Sequence, residues 1–400
     1  MRRALRRTPA QSPGARPHTR RRACRRIMAL LALTAALFCL TACWDYREIR
    51  STTFVAGAAF DLDPLGGYIL TAEVIDFNEA RDGAAPETVR ITSRGATLPE
   101  AADHAMRAAG RRLYWSHAAA FIVSRDFAAQ GIAPLTDFLL HNIDTGLTAS
   151  LLVSALPTAH EVLDLQTAGG GAVSYEIRSI MQNNAYFSQT VADFAYKTMQ
   201  ALNQGGTCAA LAMVSSYGQD GESCLDLSGC AVFDGCRMAA ELDAEDMPRL
   251  LALRGQPIGG TLALPEKACT LRFLDTRTVF TPRQDPDGSL RMEVTLEAGM
   301  VVSSAETLGV HADPEVYETL ERAAEDRIWQ RIRELMDRAQ GELGLDLFGF
   351  GVRFRQAMPE SWPAWEDDWN RYFREMEIVP EARVRIERSS AGPAILTPEG

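Results

Sequence analysis

The sequence changes character at residue 43, and that break constrains the chain more than any other feature. Residues 1–26 carry ten arginines and no acidic residue, and residues 27–42, IMALLALTAALFCLTA, carry no charge. Sixteen residues fall short of the roughly 20 that a membrane-spanning helix needs. They suit the apolar core of a secretory signal. Leu40-Thr41-Ala42-Cys43 closes the run with an aliphatic residue, two small residues and a cysteine. Small residues let a peptidase reach the bond before Cys43, and a cysteine thiolate is the nucleophile that takes up a lipid. This is the lipobox pattern of a bacterial lipoprotein, with Leu40, Thr41 and Ala42 as the peptidase recognition residues and Cys43 as the lipid anchor. Two acyl chains at one site hold a protein firmly, where one is marginal. The other reading is an uncleaved N-terminal helix with an incidental cysteine; the polar residues Asp45, Arg47 and Glu48 directly after the run argue against it. Residues 1–42 are therefore read as a lipoprotein signal peptide.

Cleavage there changes the charge balance. Ten of the 41 basic residues leave and no acid goes with them, so the remainder holds 31 basic against 52 acidic residues, a net charge of −21. An acidic body argues against nucleic acid as a partner, because phosphate contacts need clustered Lys and Arg. It also argues against electrostatic adhesion to anionic lipid. With 46% hydrophobic residues the chain can bury a large core, which excludes disordered and collagen-like readings.

Chemistry-bearing constellations are missing from the sequence. Cys208, Cys224, Cys230, Cys236 and Cys269 form no C-x-x-C pair and have no flanking histidine, so no zinc site is expected. Five is odd, which leaves at least one thiol unpaired within a monomer and allows one or two disulfides at most. His104, His117, His141, His160 and His311 show no i, i+4 pair and no H-E-x-x-H. No G-x-S-x-G occurs, and Gly169-Gly170-Gly171 lacks the lysine of a phosphate loop. The chain is read as non-enzymatic, with no catalytic residue, no metal and no cofactor.

Pattern places the elements. Phe54 to Phe60 and Tyr68 to Phe77 flank a dense turn and form a hairpin. Thr97-Leu98-Pro99-Glu100 has capping-box spacing and opens a helix that Gly110 ends. A strand over 118–123, a helix over 126–141, a strand over 147–153, a short helix over 157–165 and helical sequence over 175–203 follow. Gly205-Gly206 marks a boundary. Strands near 211–214 and 231–233, a helix from Asp243 to Leu253 and a strand from Ile258 make a smaller unit. Arg291 to Ala298 alternates strictly, as a half-buried strand does. Asp313-Pro314 starts the longest helix, with the stripe Val316, Leu320, Ala324, Ile328, Ile332, Leu335 and Ala339. Ala382, Val384 and Ile386 alternate in a last strand. Trp362, Trp365, Trp369 and Phe373 share one face if the segment is helical; a face buried in the core is favoured over a docking surface. The expected fold class is α+β, with three mixed α/β domains and largely antiparallel sheets after the signal peptide. Their bounds are 43–204, 205–265 and 266–390, with a tail over 391–400.

These residues together resemble a family. Cys43-Trp44-Asp45-Tyr46-Arg47-Glu48-Ile49 resembles the Cys-Trp-Asp-x-x-Glu opening of the GerAC-type (Ger(x)C) spore germination receptor C-subunit lipoproteins. Arg112-Leu113-Tyr114-x-x-His117 and Gly131-Ile132-x-Pro134-Leu135-x-Asp137-Phe138-Leu139 are similar to its later segments. Asp346-x-Phe348-Gly349-Phe350-Gly351, Pro359-x-x-Trp362 and Trp369-Asn370 are similar to its C-terminal signature. Asn142 to Gly146, the cysteines at 208–269 and the scarcity of lysine depart from the family pattern.

The resemblance implies a membrane-anchored lipoprotein subunit of a nutrient germinant receptor on the outer face of the inner spore (cytoplasmic) membrane. Its partners would be multi-pass membrane subunits of that receptor, with membrane lipid engaged through Cys43. It implies no catalytic residues; Trp44, Asp45, Glu48, Leu113, His117, Phe348, Gly349, Phe350, Trp362 and Trp369 become structural or interface candidates. The alternative is a solute-binding lipoprotein of a transporter, a class that wants two similar α/β lobes.

Overall fold

In the computed structural model, which describes residues 27–31, 52–76, 87–142, 146–219, 222–305 and 314–387, two sheets carry the fold. The first is built from β1 (Thr52–Leu62), β2 (Tyr68–Asp76), β3 (Glu87–Gly95), β4 (Arg112–Tyr114), β5 (Ala120–Val123), β6 (Ser150–Ser154), β7 (Ala209–Gln219), β8 (Glu222–Asp234) and β9 (Arg237–Leu242). Its order is β3-β2-β1-β5-β6-β7-β8-β9, with β4 beside the start of β1. The helices between these strands are α1 (Leu98–Ala109), α2 (Arg125–Gln130), α3 (Ala133–His141), α4 (Val173–Phe187) and α5 (Ala195–Asn203). Then come α6 (Met247–Leu253), β10 (Thr261–Leu264), β11 (Cys269–Gln284), β12 (Leu290–Ala305), α7 (Pro314–Asp337), α8 (Phe350–Ala357), α9 (Trp369–Glu375) and β13 (Glu377–Ile386). The second sheet has the order β10-β11-β12-β13.

The sequence pattern explains the layers. In the first sheet neighbouring side chains point to opposite faces. Ala58, Phe60, Phe121, Val123, Leu151 and Val153 pack with α1, α2, α3 and α5. Ala59, Ala120, Ile122, Leu152, Ala212 and Val232 pack on the other side, with α4, α6 and the second sheet. Strands buried on both faces read as continuous apolar runs, as Ala120–Val123 does.

The sheets are largely antiparallel, with parallel pairs among them: β1 pairs in parallel with β5, β5 with β6, and β6 with β7. Parallel neighbours need a long crossover, and the helical segments between these strands supply it. The terminal strand β13 also runs parallel to β12. The unit expected over 205–265 has no sheet of its own. Its strands β7–β9 extend the first sheet through the pairing of Leu152 with Ala212, and β10 opens the second. Thr52 onward groups as a single compact unit.

The helix expected over 126–141 is two helices, because Gly131 takes φ 128° between them. The stretch over 175–203 divides at Ser188, φ 54°. The hairpin and the first cap follow the sequence. Phe60 pairs with Leu70, and Thr97 Oγ1 accepts from the Glu100 amide at 3.3 Å. The Glu100 carboxylate reaches back to the Ala96 amide at 2.8 Å, one residue before the cap. The stripe from Leu320 in α7 to Ala339 in the π-helical turn Arg338–Leu343 after it is buried, and Val316 at its start is exposed. Asp313 and the tail over 391–400 lie outside the described residues.

Candidate functional site

Buried acids hold the body together, and one of them organises the C-terminal motif. An acidic side chain inside an apolar core is tolerable only where donors surround it. Glu73, fully buried in β2, accepts from the Val173 and Ser174 amides at 2.8 and 3.0 Å. It thereby satisfies the free amides at the start of α4. Gly57 lets that helix end approach, since a Cβ there would sit 2.0 Å from Ser174 Oγ. Asp61 does the same for the turn at Ala159 and His160, at 2.7 and 3.1 Å.

Asp346 is the most densely bonded. Its Oδ1 accepts from the amides of Phe348, Gly349 and Phe350 at 3.1, 2.9 and 3.1 Å. Its Oδ2 accepts from the Gly351 amide at 2.8 Å and the Trp369 indole at 2.9 Å. Burial pushes the Asp346 carboxyl up, against the pull of these donors. The loop wraps round the carboxylate, and Gly349 adopts φ 74° to make the turn. Phe348 and Phe350 then project into the core, their ring centroids 5.2 Å apart. The carbonyl of Asp346 accepts from the Cys208 amide at 3.0 Å. Arg254 bridges the Leu347 and Cys208 carbonyls at 2.8 and 3.0 Å. Gly206 lies so close to Gly351 that a Cβ on Gly351 would sit 2.5 Å from the Gly206 Cα. This cluster therefore clasps the 205–208 loop to the C-terminal segment.

Trp362, Trp365, Trp369 and Phe373 are all buried around the clasp. They do not lie on one three-turn helix: two 3-10 turns, Trp362–Ala364 and Glu366–Asp368, lead into α9. Trp362 and Trp369 pack at 5.2 Å, and Trp369 packs on Phe354 at 5.6 Å. They are core residues and not an exposed docking face.

The other candidates lie elsewhere. Leu113 is buried on the face of the first sheet that α1, α2, α3 and α5 cover. His117 is exposed, its ring 5.5 Å from Phe54 and 5.9 Å from Tyr114, while its carbonyl accepts from Arg178. Leu113 and His117 therefore form no common site with Phe348, Phe350, Trp362 and Trp369. Cys43, Leu40, Thr41, Ala42, Trp44, Asp45 and Glu48 lie outside the described residues. Asp346 heads the C-terminal signature in the sequence but is not among the residues singled out there as candidates, because its donors are mostly backbone amides.

Among the described residues no group of three or more His, Cys, Asp or Glu side chains could hold a metal, and no helix is long and apolar enough to cross a membrane. The five described cysteines are unpaired. Burial pushes the thiols of Cys208 and Cys230 up to about 12 and raises Cys269 as well. Thiols so shielded react slowly, since the thiolate is the nucleophile. Iodoacetamide on the native protein is expected to modify Cys224 and Cys236 while Cys208, Cys230 and Cys269 stay intact until denaturant is added. Peptide mass mapping reads this, and early labelling of Cys230 would contradict the packing described.

Two sheets with helices packed between and around them, joined through a buried carboxylate, define an α+β body. Comparison with known proteins narrows this. Residues 45–216 match the family described as spore germination protein N-terminal domain, and residues 228–390 match spore germination B3/GerAC like, C-terminal. The chain belongs to the GerAC-type spore germination family, the receptor C-subunits. YfkR of Bacillus subtilis (strain 168), provisionally named a spore germination protein, is 24% identical over 365 residues, covering 87% of this chain and 93% of the relative. Spore germination protein B3 of the same strain is 19% identical, covering 88% and 94%. The crystal structure of the GerBC protein matches with a TM-score of 0.52 at 14% identity, covering 86% of this chain and all of that one. That likeness is one of fold.

Proposed function

We propose that this protein is the lipid-anchored, non-enzymatic subunit of a nutrient germinant receptor. It is held at the membrane surface through Cys43 and works beside multi-pass membrane subunits. The observation that carries the reading is the span of the family match, which begins at residue 45, two residues after the lipobox cysteine, and runs to residue 390. The division of labour follows from the physics. A body of net charge −21 gains nothing from anionic lipid. Its position at the membrane then rests on the acyl chains and on partner subunits. Deleting the gene and following spore germination with a panel of nutrients tests the proposal. Loss of the response to at least one nutrient, with unchanged spore yield, is expected. An unaltered response to every nutrient removes the receptor role.

A further inference from the structure

A cavity of about 110 Å³ lies where the end of α4, α6 and the second sheet meet α7, and nothing in the receptor reading uses it. The junction is shaped locally. Ser188 turns the chain after α4, and its hydroxyl accepts from the Gly259 amide at 2.7 Å. Gly259 must lack a side chain there, because a Cβ would meet the Ala185 carbonyl at 2.2 Å. The walls beyond are apolar: Ile258, Leu262, Phe273, Leu296 and Ile328.

Three charged side chains also line the cavity, Arg249, Arg331 and Glu245. Arg249 is largely buried and faces Asp246 and Glu334 through Nη1 at 2.9 and 3.7 Å, yet its buried Nε has no partner. Arg331 is half-buried and makes no hydrogen bond or ion pair among the described residues. Burial, and then the nearby Arg327 and Arg249, push its pKa down, against the opposing pull of Glu245 and Glu334. A buried charged donor without an acceptor is costly, and a planar guanidinium fork matches a carboxylate.

We infer that this cavity binds a small monocarboxylate with an apolar tail, the carboxylate resting on Arg249 and Arg331 and the tail on Ile258, Leu262, Phe273 and Ile328. A neutral apolar guest would leave the Arg249 Nε without an acceptor, and a cation would meet two guanidiniums. The volume sets the tail at about four or five carbons, since a cavity of roughly 150 Å³ takes benzene. The inference rests on the cavity and not on the receptor reading, so either can fail without the other.

Calorimetric titration of the full-length protein in nanodiscs tests it, with 4-methylpentanoate as probe, 4-methylpentan-1-ol as its neutral counterpart and empty nanodiscs as the blank. The acid is expected to bind about tenfold or more tighter than the alcohol. Arg331→Gln is expected to erase that preference while leaving the thermal unfolding midpoint unchanged. Ala252→Leu, which fills the wall, should abolish binding of both. Equal binding of acid and alcohol by the unsubstituted protein, or no binding of the acid up to about 10 mM, overturns the proposal. So does an Arg331→Gln protein that binds the acid as well as the parent.

Discussion

Asp346→Ala is expected to destabilise the protein by about 4 kcal/mol or more, the largest effect of any single substitution in the C-terminal half. The substitution strips one acceptor from four backbone amides and the Trp369 indole, all within 3.1 Å of the carboxylate. Each buried donor left without a partner costs about 1–3 kcal/mol, reduced where water can enter. Typical total stabilities are about 5–15 kcal/mol, so the variant should sit near the edge of folding. Asp346→Asn keeps one acceptor oxygen and turns an amide group toward the remaining donors. It should fall between the parent and the alanine variant. Urea unfolding followed by tryptophan fluorescence reads both, because Trp362, Trp365 and Trp369 surround the site. A loss of less than about 1 kcal/mol in Asp346→Ala would mean that the carboxylate does not organise this loop.

Cys43→Ala is expected to abolish acylation altogether. The parent should yield an N-terminal peptide beginning at Cys43 and carrying a diacylglyceryl mass, and the variant should yield none. Placed behind a cleavable non-lipoprotein leader, the Cys43→Ala body is expected to leave the membrane fraction, because the acyl chains are its proposed hold. Persistence of the acyl mass in the variant would locate the modification elsewhere. Retention of the unacylated body in the membrane fraction would instead point to partner subunits as a sufficient hold.

Much of the fold was legible because it is written in short-range patterns. The turn between Leu62 and Tyr68, the Thr97 cap and the alternation of Met292, Val294 and Leu296 each involve residues within a few positions of one another. The α7 stripe likewise needs nothing but a 3.6-residue period. The long-range joins were not legible. Nothing local in Leu211–Val214 says that it pairs with β6 and so belongs to the first sheet. The break at Ser188 was hidden because a left-handed serine carries no signature of its own, although its hydroxyl is committed to Gly259. At the candidate site the aromatic residues were visible and read as core. Their organiser was not: Glu73 and Asp61 look like ordinary acids until the amides they serve, 98 to 101 residues away, come into place, and Asp346 until its loop folds back over it.

The contact between Gly206 and Gly351 also sets an order of events. During synthesis the strands up to Leu242 are complete before the second half of the clasp exists. At about 5–20 residues per second, the chain between positions 206 and 351 takes on the order of ten seconds to appear. For that interval the 205–208 loop has neither the Asp346 carbonyl for its Cys208 amide nor the Trp362 ring against Gly206. The clasp thus joins two parts of the chain that are made well apart in time, and the loop at 205–208 gains these partners only once the later part is present.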